Sequence, residues 1–508
     1  VNVAVHLACA LLAFGLIRRT LELPRLRRHF DGSSINLAFA AALLWAVHPL
    51  NSEVVDYLTQ RSESMMAALY LSTLYAASRA LTEPRKRAWQ SLAVVSCALG
   101  MLCKESMATA PVMVALYDRA FAFDSWRDAV RGRLGLYVGL AATWLILAAI
   151  ILGGARSSVA GFSSGVSPWT YLLNQTIVIA HYLRLSFWPS GLVVFYGWPA
   201  PLTFGDVAPY AILIVTLIVA TIAALTRAPD VGFLGAWFFL TLAPASSVVP
   251  VATEVGAERR MYLPLLALIM LTVAAANAAW KHRPAIRTLA FVPAIAVAGV
   301  AGALAAATFE RNREYASPLT LAQTVIDRRP NAVAYHILGE QLMLDGRDAE
   351  AIGPLSEAVA RGNSRAGYQL GLALLNERRF GEAVQRLDAF VRTSELSYRL
   401  VPGWLVPPRT DVVSARVLMA RVFASERQWS QAADQAGRVL KVAPSHPEAQ
   451  RLLVEALINL GFARVLAGDF DEAVKMFRRA LDVDPANPRT RDLLTLALED
   501  QRRAAAAR

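Results

Sequence analysis

Up to about residue 307 the sequence is a succession of apolar runs separated by short charged loops, a pattern that few folds surrounded by water can bury. Stretches long and apolar enough to cross a hydrocarbon core of roughly 30 Å lie near residues 2–17, 35–50, 65–81, 134–153, 207–226, 231–249, 262–280 and 286–307. Two shorter ones, 90–102 and 107–121, meet at Lys104 and Glu105 and read as a hairpin of short helices. A backbone in lipid must satisfy its own hydrogen bonds, so the expectation is a polytopic α-helical transmembrane bundle. Beyond residue 307, Arg, Asp, Glu and Gln return at the density of a soluble helical domain. The overall 56% hydrophobic content of the 508 residues therefore averages two parts facing different solvents. The expected division is a transmembrane domain over 1–307, a connecting helix over 308–331 and a second domain over 332–508.

A net charge of +12 does not point to nucleic acid, because the basic residues of the first part sit in short runs between spans and form no continuous face. The runs RRTLELPRLRRH (18–29), EPRKR (83–87), RDAVRGR (127–133) and KHRPAIR (281–287) fall on one side if the spans alternate, and the excess of Arg and Lys makes that side cytoplasmic. Residues 48–63, the Lys104 turn, 154–206, 253–262 and everything after 308 then lie outside the cytoplasm. The segment 171–187 breaks the alternation, since both its flanks are external. Its Tyr171, Asn174, Gln175, His181 and Tyr182 share one face at helical spacing, so it reads as a helix lying at the outer interface or lining a cavity. Cys9, Cys97 and Cys103 all lie within apolar stretches, which implies neither a disulfide framework nor a zinc site. The chain opens inside an apolar run with no basic stretch before it, unlike a signal peptide. That opening reads as a fragment whose true N-terminus lies upstream of Val1.

The later part carries an internal repeat. Counting from Val454, Gly461, Ala473, Phe477, Ala480 and Pro485 fall at the small, aromatic and proline positions of a tetratricopeptide helix pair. A unit from Ala332 supplies Gly339, Ala351, Leu355 and Ala358, one from about Arg365 supplies Gly371, Ala383 and Leu387, and a weaker one near Val413 supplies Ala420, Ala432 and Pro444. Three or more such pairs stack into an α-solenoid with a concave surface, suited to an extended peptide or a protein partner, or serving as a plain spacer. The insert 394–410 interrupts the period and reads as a loop.

Four polar clusters adjoin the spans, where a charge at the bilayer centre costs about 2.5–3.5 kcal/mol on insertion scales. They are His48, Glu53, Asp56, Arg61 and Glu63; Lys104 and Glu105; Gln175, His181, Tyr182 and Arg184; and Glu254, Glu258, Arg259, Arg260 and Tyr262. By the charge rule all four face the same external side, as a single polar cavity requires. Arg61, Lys104, Arg259 and Arg260 are the candidate ligands of a lipid phosphate near the headgroup plane. Glu63, Glu105 and Glu258 are the candidate catalytic carboxylates, acting as general base or holding a divalent cation, whose requirement stays open. His48, Glu53, Gln175, His181, Tyr182 and Tyr262 are expected to line the cavity. The plainer readings are a helix end at His48–Pro49, a surface pair at Arg61 and Glu63, a turn pair at Lys104 and Glu105, and loop charges at 258–260.

The segments HPLNSEVVDYLTQRSESMMAALYLSTLYAAS, LGMLCKESMATAPVMVALYDR, SPWTYLLNQTIVIAHYLRLSFWPSGL and WFFLTLAPASSVVPVATEVGAERRMYLPLLAL, followed by tetratricopeptide repeats, resemble the transmembrane and tetratricopeptide-repeat O-mannosyltransferases and their bacterial relatives. The resemblance implies a GT-C glycosyltransferase fold and a polyprenyl phosphate sugar as donor. By analogy Arg61 and Glu63 match the Arg and acidic residue after the third span of GT-C enzymes, and Lys104 matches the lysine of their short-helix turn. Arg259 and Arg260 would be further phosphate ligands and Glu258 an orienting group. The same analogy makes the first apolar run span two, so the first external loop with its catalytic carboxylate would precede Val1. Expected partners are membrane lipid, polyprenyl phosphate and a protein or peptide acceptor held by the repeat groove, without nucleic acid. The expected setting is a bacterial inner membrane with the repeats in the periplasm. The competing reading is a non-enzymatic, membrane-anchored tetratricopeptide scaffold; a bundle of about ten spans is more than an anchor needs.

Overall fold

A computed structural model describes the chain except for residues 31, 154–160, 162–165, 248, 252, 283–290, 401–408 and 507–508. Among the described residues the regular structure is helical, and the chain divides into two compact units, Val1–Pro330 and Asn331–Arg508.

The first unit comprises α1 (Asn2–Glu22), α2 (Pro24–Phe30), α3 (Ser34–Ala46), α4 (Ser52–Asp56), α5 (Arg61–Thr82), α6 (Lys86–Cys103), α7 (Ala110–Phe121), α8 (Trp126–Gly153), α9 (Pro168–Phe187), α10 (Phe204–Arg227), α11 (Pro229–Leu242), α12 (Pro264–Lys281), α13 (Val292–Glu314) and α14 (Pro318–Arg328). Among the described residues α1, α8, α10, α12 and α13 are long and apolar enough to cross a membrane, and α3 with the segment Pro49–Asp56 makes a sixth, bent by 55°. The bend falls at His48–Pro49, where proline forces its predecessor out of the helical region (His48 φ −78°, ψ 130°). Two expected spans fall outside this set. α5 is 22 residues long but carries Arg61, Glu63 and Arg79, and α11 has 14 residues, stopping two positions before Pro244. The expected hairpin of short helices is built from an 18-residue α6 and a 12-residue α7. Parts of the expected span 286–307, of KHRPAIR and of the external segment 154–206 lie outside the described residues.

α10 leaves Ile212, Val215, Val219 and Ile222 each close to 60% exposed or above. A continuous apolar stripe of this kind is costly in water and suits a hydrocarbon surround. Inside the bundle Trp45, Tyr70, Tyr117, Tyr182 and Tyr262 are fully enclosed.

Among the described residues the buried and half-buried ion pairs of the first unit gather in two layers at the helix ends. In one, Arg19 of α1 reaches Thr82 Oγ1 (2.6 Å) and Glu83 (3.5 Å), Arg25 reaches the carbonyls of Arg119 and Ala120 and the Asp124 carboxylate, and Lys281 reaches the carbonyl of His29 (2.5 Å). The basic segments 18–29 and 83–87 and the start of 281–287 thus share one end of the bundle. Nearby, Asp118 is wholly buried and accepts from Arg133 Nη1 (2.5 Å) and Tyr137 Oη (2.6 Å), while Arg133 Nη2 caps the carbonyl of Ala77 (2.7 Å). Arg133 leaves the helical region to do so (φ −138°, ψ 23°), and α8 bends there.

The second unit stacks α15 (Ala332–Leu344), α16 (Asp348–Ala360), α17 (Ala366–Asn376), α18 (Phe380–Leu400), α19 (Arg409–Ser425), α20 (Trp429–Val442), α21 (Pro447–Leu466), α22 (Phe470–Val483) and α23 (Pro488–Ala506). The small residues of the repeat stand where paired helices touch. A Cβ on Gly339, Gly371 or Gly461 would come within 2.5 Å of Leu355, 2.3 Å of Leu387 or 2.6 Å of Phe477. Gly468 makes the α21–α22 turn with φ 75°, a conformation that costs glycine nothing. The insert is not a loop throughout: α18 runs on to Leu400 and α19 begins at Arg409, with 401–408 outside the described residues. Within the extension Glu395 pairs with Arg416 of α19 (2.5 Å) and Tyr398 packs on the cluster that joins Leu387, Phe390 and Val391 to Val412, Ala415 and Met419.

Two stability effects follow. Asp118→Ala strands the Arg133 guanidinium in the bundle and is expected to cost about 3–5 kcal/mol, read as a lowered unfolding midpoint of the detergent-solubilised protein, with Asp118→Ala/Arg133→Leu recovering most of the loss. Gly461→Val forces the Phe477 ring aside and is expected to cost about 1–3 kcal/mol in the repeat unit, measured by thermal or urea unfolding.

Candidate functional site

The second charged layer lies at the other end of the bundle, where α1 and α5 begin and α6 ends. Its organiser is the stretch 253–263, entering α12. Tyr182 of α9 clamps it: the buried hydroxyl donates to the carbonyl of Ala257 (2.8 Å) and accepts from the amide of the same residue (2.7 Å). The next four residues, Glu258–Met261, form a 3₁₀ turn. With three residues per turn, successive side chains leave the axis roughly 120° apart, so Glu258, Arg259 and Arg260 separate towards three different sets of partners.

Glu258 is fully buried and accepts from the amide of Val193 (2.5 Å), from Tyr196 Oη (3.0 Å) and from Arg311 Nη2 (3.3 Å). Burial pushes its carboxyl up to about 7, against the pull of Arg311 and with the like charge of Glu53 adding to the rise. Arg259 bridges two carboxylates. It donates its amide (2.9 Å) and Nη1 (2.5 Å) to the wholly buried Glu53, and pairs with Glu254. Burial opposes its charge, but Glu53 and Glu254 together hold the guanidinium above its ordinary value. Arg260 is buried against Tyr171 Oη (3.0 Å), Ser246 Oγ (3.4 Å) and the carbonyls of Val255 (3.4 Å) and Glu254 (3.1 Å).

Beside this turn, Glu63 at the start of α5 pairs with Lys104, where α6 gives way to the turn Glu105–Thr109. Arg61 is exposed and donates to Asn2 Oδ1 (3.3 Å), whose amide nitrogen holds the carbonyl of Val55 (3.2 Å). His6 joins the two groups of residues. Its Nε2 faces the carbonyl of Ala46 (2.9 Å), which only accepts, so the proton sits there and Nδ1 accepts from Tyr262 Oη (2.7 Å). Trp45 closes the contact by donating Nε1 to the carbonyl of Tyr262 (2.8 Å).

The structure therefore brings Glu53, Glu63, Lys104, Glu258, Arg259, Arg260 and Tyr262 to one end of the bundle, in three neighbouring pairings. Other expected residues do different work. His48 caps the turn Pro49–Asn51 by accepting from the amide of Leu50 (3.2 Å) and reaches the carbonyl of Ser186 (3.2 Å), the helix-end role. Gln175 donates to the carbonyl of Val255 (2.9 Å), with Oε1 buried and unpartnered. His181 packs edge-on against Tyr196 at 5.6 Å and its Nε2 has no hydrogen-bond partner. Glu105 is exposed and joins none of these pairings among the described residues. α9 thus turns its polar face onto the stretch 253–263 and the carbonyl of Ala200 (Asn174, 2.7 Å).

Sequence reasoning missed Arg311 and Glu314. Arg311, at the end of α13, is 2% exposed and joins Glu258, Glu314 and the carbonyl of Leu192 (3.2 Å); Arg328 of α14 reaches the same carbonyl (2.8 Å) and Glu314 (2.6 Å). With its amide nitrogen turned inward, Asn312 donates to Asp56 (2.7 Å). The run ERNRE directly after an apolar span was the available signal. Among the described residues no group of three His, Cys, Asp or Glu side chains is set to hold a metal.

Apolar helices with charge sorted to their ends, joined in one chain to stacked helix pairs, define an integral membrane protein carrying a tetratricopeptide array. Residues 25–152 match the family model described as dolichyl-phosphate-mannose-protein mannosyltransferase, and residues 454–487 match that of the tetratricopeptide repeat. Over 427 residues, 72% of the chain, it is 24% identical to "Protein O-mannosyl-transferase Tmtc3" of Drosophila melanogaster, covering 45% of that protein. Over 181 residues, 33% of the chain, it is 26% identical to "Protein O-mannosyl-transferase Tmtc2" of the same organism, covering 19% of it. The chain thus spans less than half the length of these curated relatives. Among solved structures, "Crystal structure of APC/C hetero-tetramer Cut9-Hcn1" aligns over 94% of this chain and 86% of that one at 12% identity, with a TM-score of 0.25, too loose to bear on the fold.

The raised carboxyl of Glu258 sets a pH dependence. A carboxyl of pKa about 7 in the folded protein and near 4.5 when exposed stabilises the fold below both values, and that stabilisation is lost as pH rises through 7. The unfolding midpoint of the wild type is expected to fall between pH 5 and 8 relative to Glu258→Gln, which cannot ionise; parallel curves would contradict the assignment.

Proposed function

We propose that this chain is the transferase part of a membrane glycosyltransferase. It moves a sugar, mannose by the family similarity, from a polyprenyl phosphate donor to a hydroxyl of a protein or other acceptor on the periplasmic or lumenal side. The observation carrying this reading is a convergence. The matched segment 25–152 supplies Glu53, Arg61, Glu63 and Lys104 to the same end of the bundle at which the Glu258–Met261 turn holds its charges.

In an inverting transfer the acceptor oxygen bonds to the anomeric carbon as the bond from that carbon to the phosphate oxygen breaks; the electron pair leaves with the phosphate and the acceptor proton passes to a base. Arg61 and the partly exposed Lys104 are the cations open to the departing phosphate, and Glu63 pairs with the ammonium and aims it. Arg259 and Arg260 are already engaged by Glu53, Glu254 and Tyr171, which favours a positioning role over direct phosphate binding. Glu258 is enclosed by Val193, Tyr196 and Arg311 and serves the same frame. In the repeat unit, a groove of about 1060 Å³ edged by Arg427, Arg451, Glu455, Asn459, Asp484 and Arg489 is the candidate seat for an acceptor polypeptide.

Membranes bearing the full-length protein, supplied with radiolabelled polyprenyl phosphate mannose and acceptor protein, test this. Arg61→Ala and Lys104→Ala are each expected to lower kcat by about 10²-fold. Transfer unaffected by both would leave the anchored scaffold as the better reading, in which substitutions in the repeat groove alone abolish partner binding.

A further inference from the structure

At the end of the first unit remote from the candidate site, two cavities meet. One is an apolar cleft of about 120 Å³ walled by Leu26, Phe121, Phe233, Trp237 and Met270; the other is a polar pocket of about 470 Å³ edged by Arg19, Glu22, Arg27, Ser34 and Thr82. Leu21 and Phe30 line both. The cleft wall is apolar apart from Thr20 and the half-buried Asp230, and Tyr117 turns its hydroxyl to Thr20 (2.8 Å) and leaves its ring towards the apolar side.

The pocket carries positive charge in excess. Its carboxylate, Glu22, is already matched by Arg18 (2.9 Å). Arg19 bonds Thr82 and Glu83, yet its Nε is buried with no hydrogen-bond partner. Arg27 is exposed and forms no ion pair among the described residues, and outside the lining Lys281, bonded to the carbonyl of His29, stands 5.7 Å from the centre of the Phe30 ring. An apolar cleft opening into a cationic pocket at a helix end complements an amphiphile with an anionic head. From His6 to Leu21 along α1 is roughly 22 Å at 1.5 Å per residue, so this site serves the leaflet opposite the candidate transfer site and is separate from the donor's.

We propose that this junction binds an anionic glycerophospholipid, with the phosphodiester on Arg19 and Arg27 and part of one acyl chain in the cleft. The apolar cleft argues for a lipid over free phosphate, and its small volume for a single unbranched chain.

Native mass spectrometry of the full-length, detergent-purified protein tests the assignment with phosphatidylglycerol, phosphatidylcholine, glycerol 3-phosphate and undecaprenyl phosphate as probes. Phosphatidylglycerol is expected to bind in preference to phosphatidylcholine, with Arg27→Ala weakening it about fivefold. Ala274→Trp, filling the cleft from the half-exposed face of α12, is expected to weaken both phospholipids while the unfolding midpoint holds. Equal retention of the two phospholipids would overturn the proposal, as would phosphatidylglycerol binding unchanged in both variants. Glycerol 3-phosphate competing as well as the lipid would reduce the site to a phosphate pocket, and tighter retention of undecaprenyl phosphate would hand it to a carrier lipid; either result defeats it.

Discussion

A charged side chain withdrawn from water in a helix bundle is tolerated only where its counter-charge meets it, and the contact of Glu53 with Arg259 is the clearest case here. The carboxylate has no exposed surface and takes both the amide and the guanidinium of one residue. Such a pair adds little net stability over a well-packed apolar substitute, but it is severe on alternatives, since Glu53 without Arg259 would be a buried bare charge. It fixes where α4 ends, where α12 begins and how the 3₁₀ turn between Ala257 and Tyr262 is rotated. The neighbouring pairings inherit their places from that turn, Glu258 towards Arg311 of α13 and Arg260 towards Tyr171 of α9.

The same logic sorts the whole first unit into an apolar middle and two charged ends of different character. At one end the ions are enclosed, bonded to several elements at once and shielded by Trp45, Tyr182 and Tyr262. At the other, apart from the enclosed pair of Asp118 and Arg133, arginines lie nearer the surface and several keep bonding capacity to spare. Enclosed charge is suited to orienting a reacting group, and accessible charge to meeting whatever the adjacent lipid surface presents.

The outlines of this architecture were legible because the signals are local. Runs of apolar residues set the helices of the bundle, and Gly339, Gly371 and Gly461 could be read as contact points because each sits a fixed distance before the bulky residue it faces. What escaped is non-local. Three consecutive charges at 258–260 read as one cluster aimed at one ligand, whereas a turn of three residues per revolution sends them apart. Arg311 lay past a span, in what passed for a connector, and only the return of α13 to the level of Val193 and Glu258 discloses its role. His48 read equally well as a cavity residue and as a helix end, and the carbonyl of Ser186 and the amide of Leu50 decide for the latter. The polar face of α9 was visible, but its partners are backbone groups of an irregular segment with no sequence period. α18 shows the opposite error, where an insert disguised a helix that runs on to Leu400.

The 206 positions separating Glu53 from the residue that neutralises it have a bearing on biosynthesis. At ribosomal speeds of about 5–20 residues per second, roughly 10–40 s pass between the emergence of one partner and the other. Throughout that interval the nascent N-terminal helices carry Glu53 without its partner, so the enclosed charge layer can close only after the segment around Arg259 has been made.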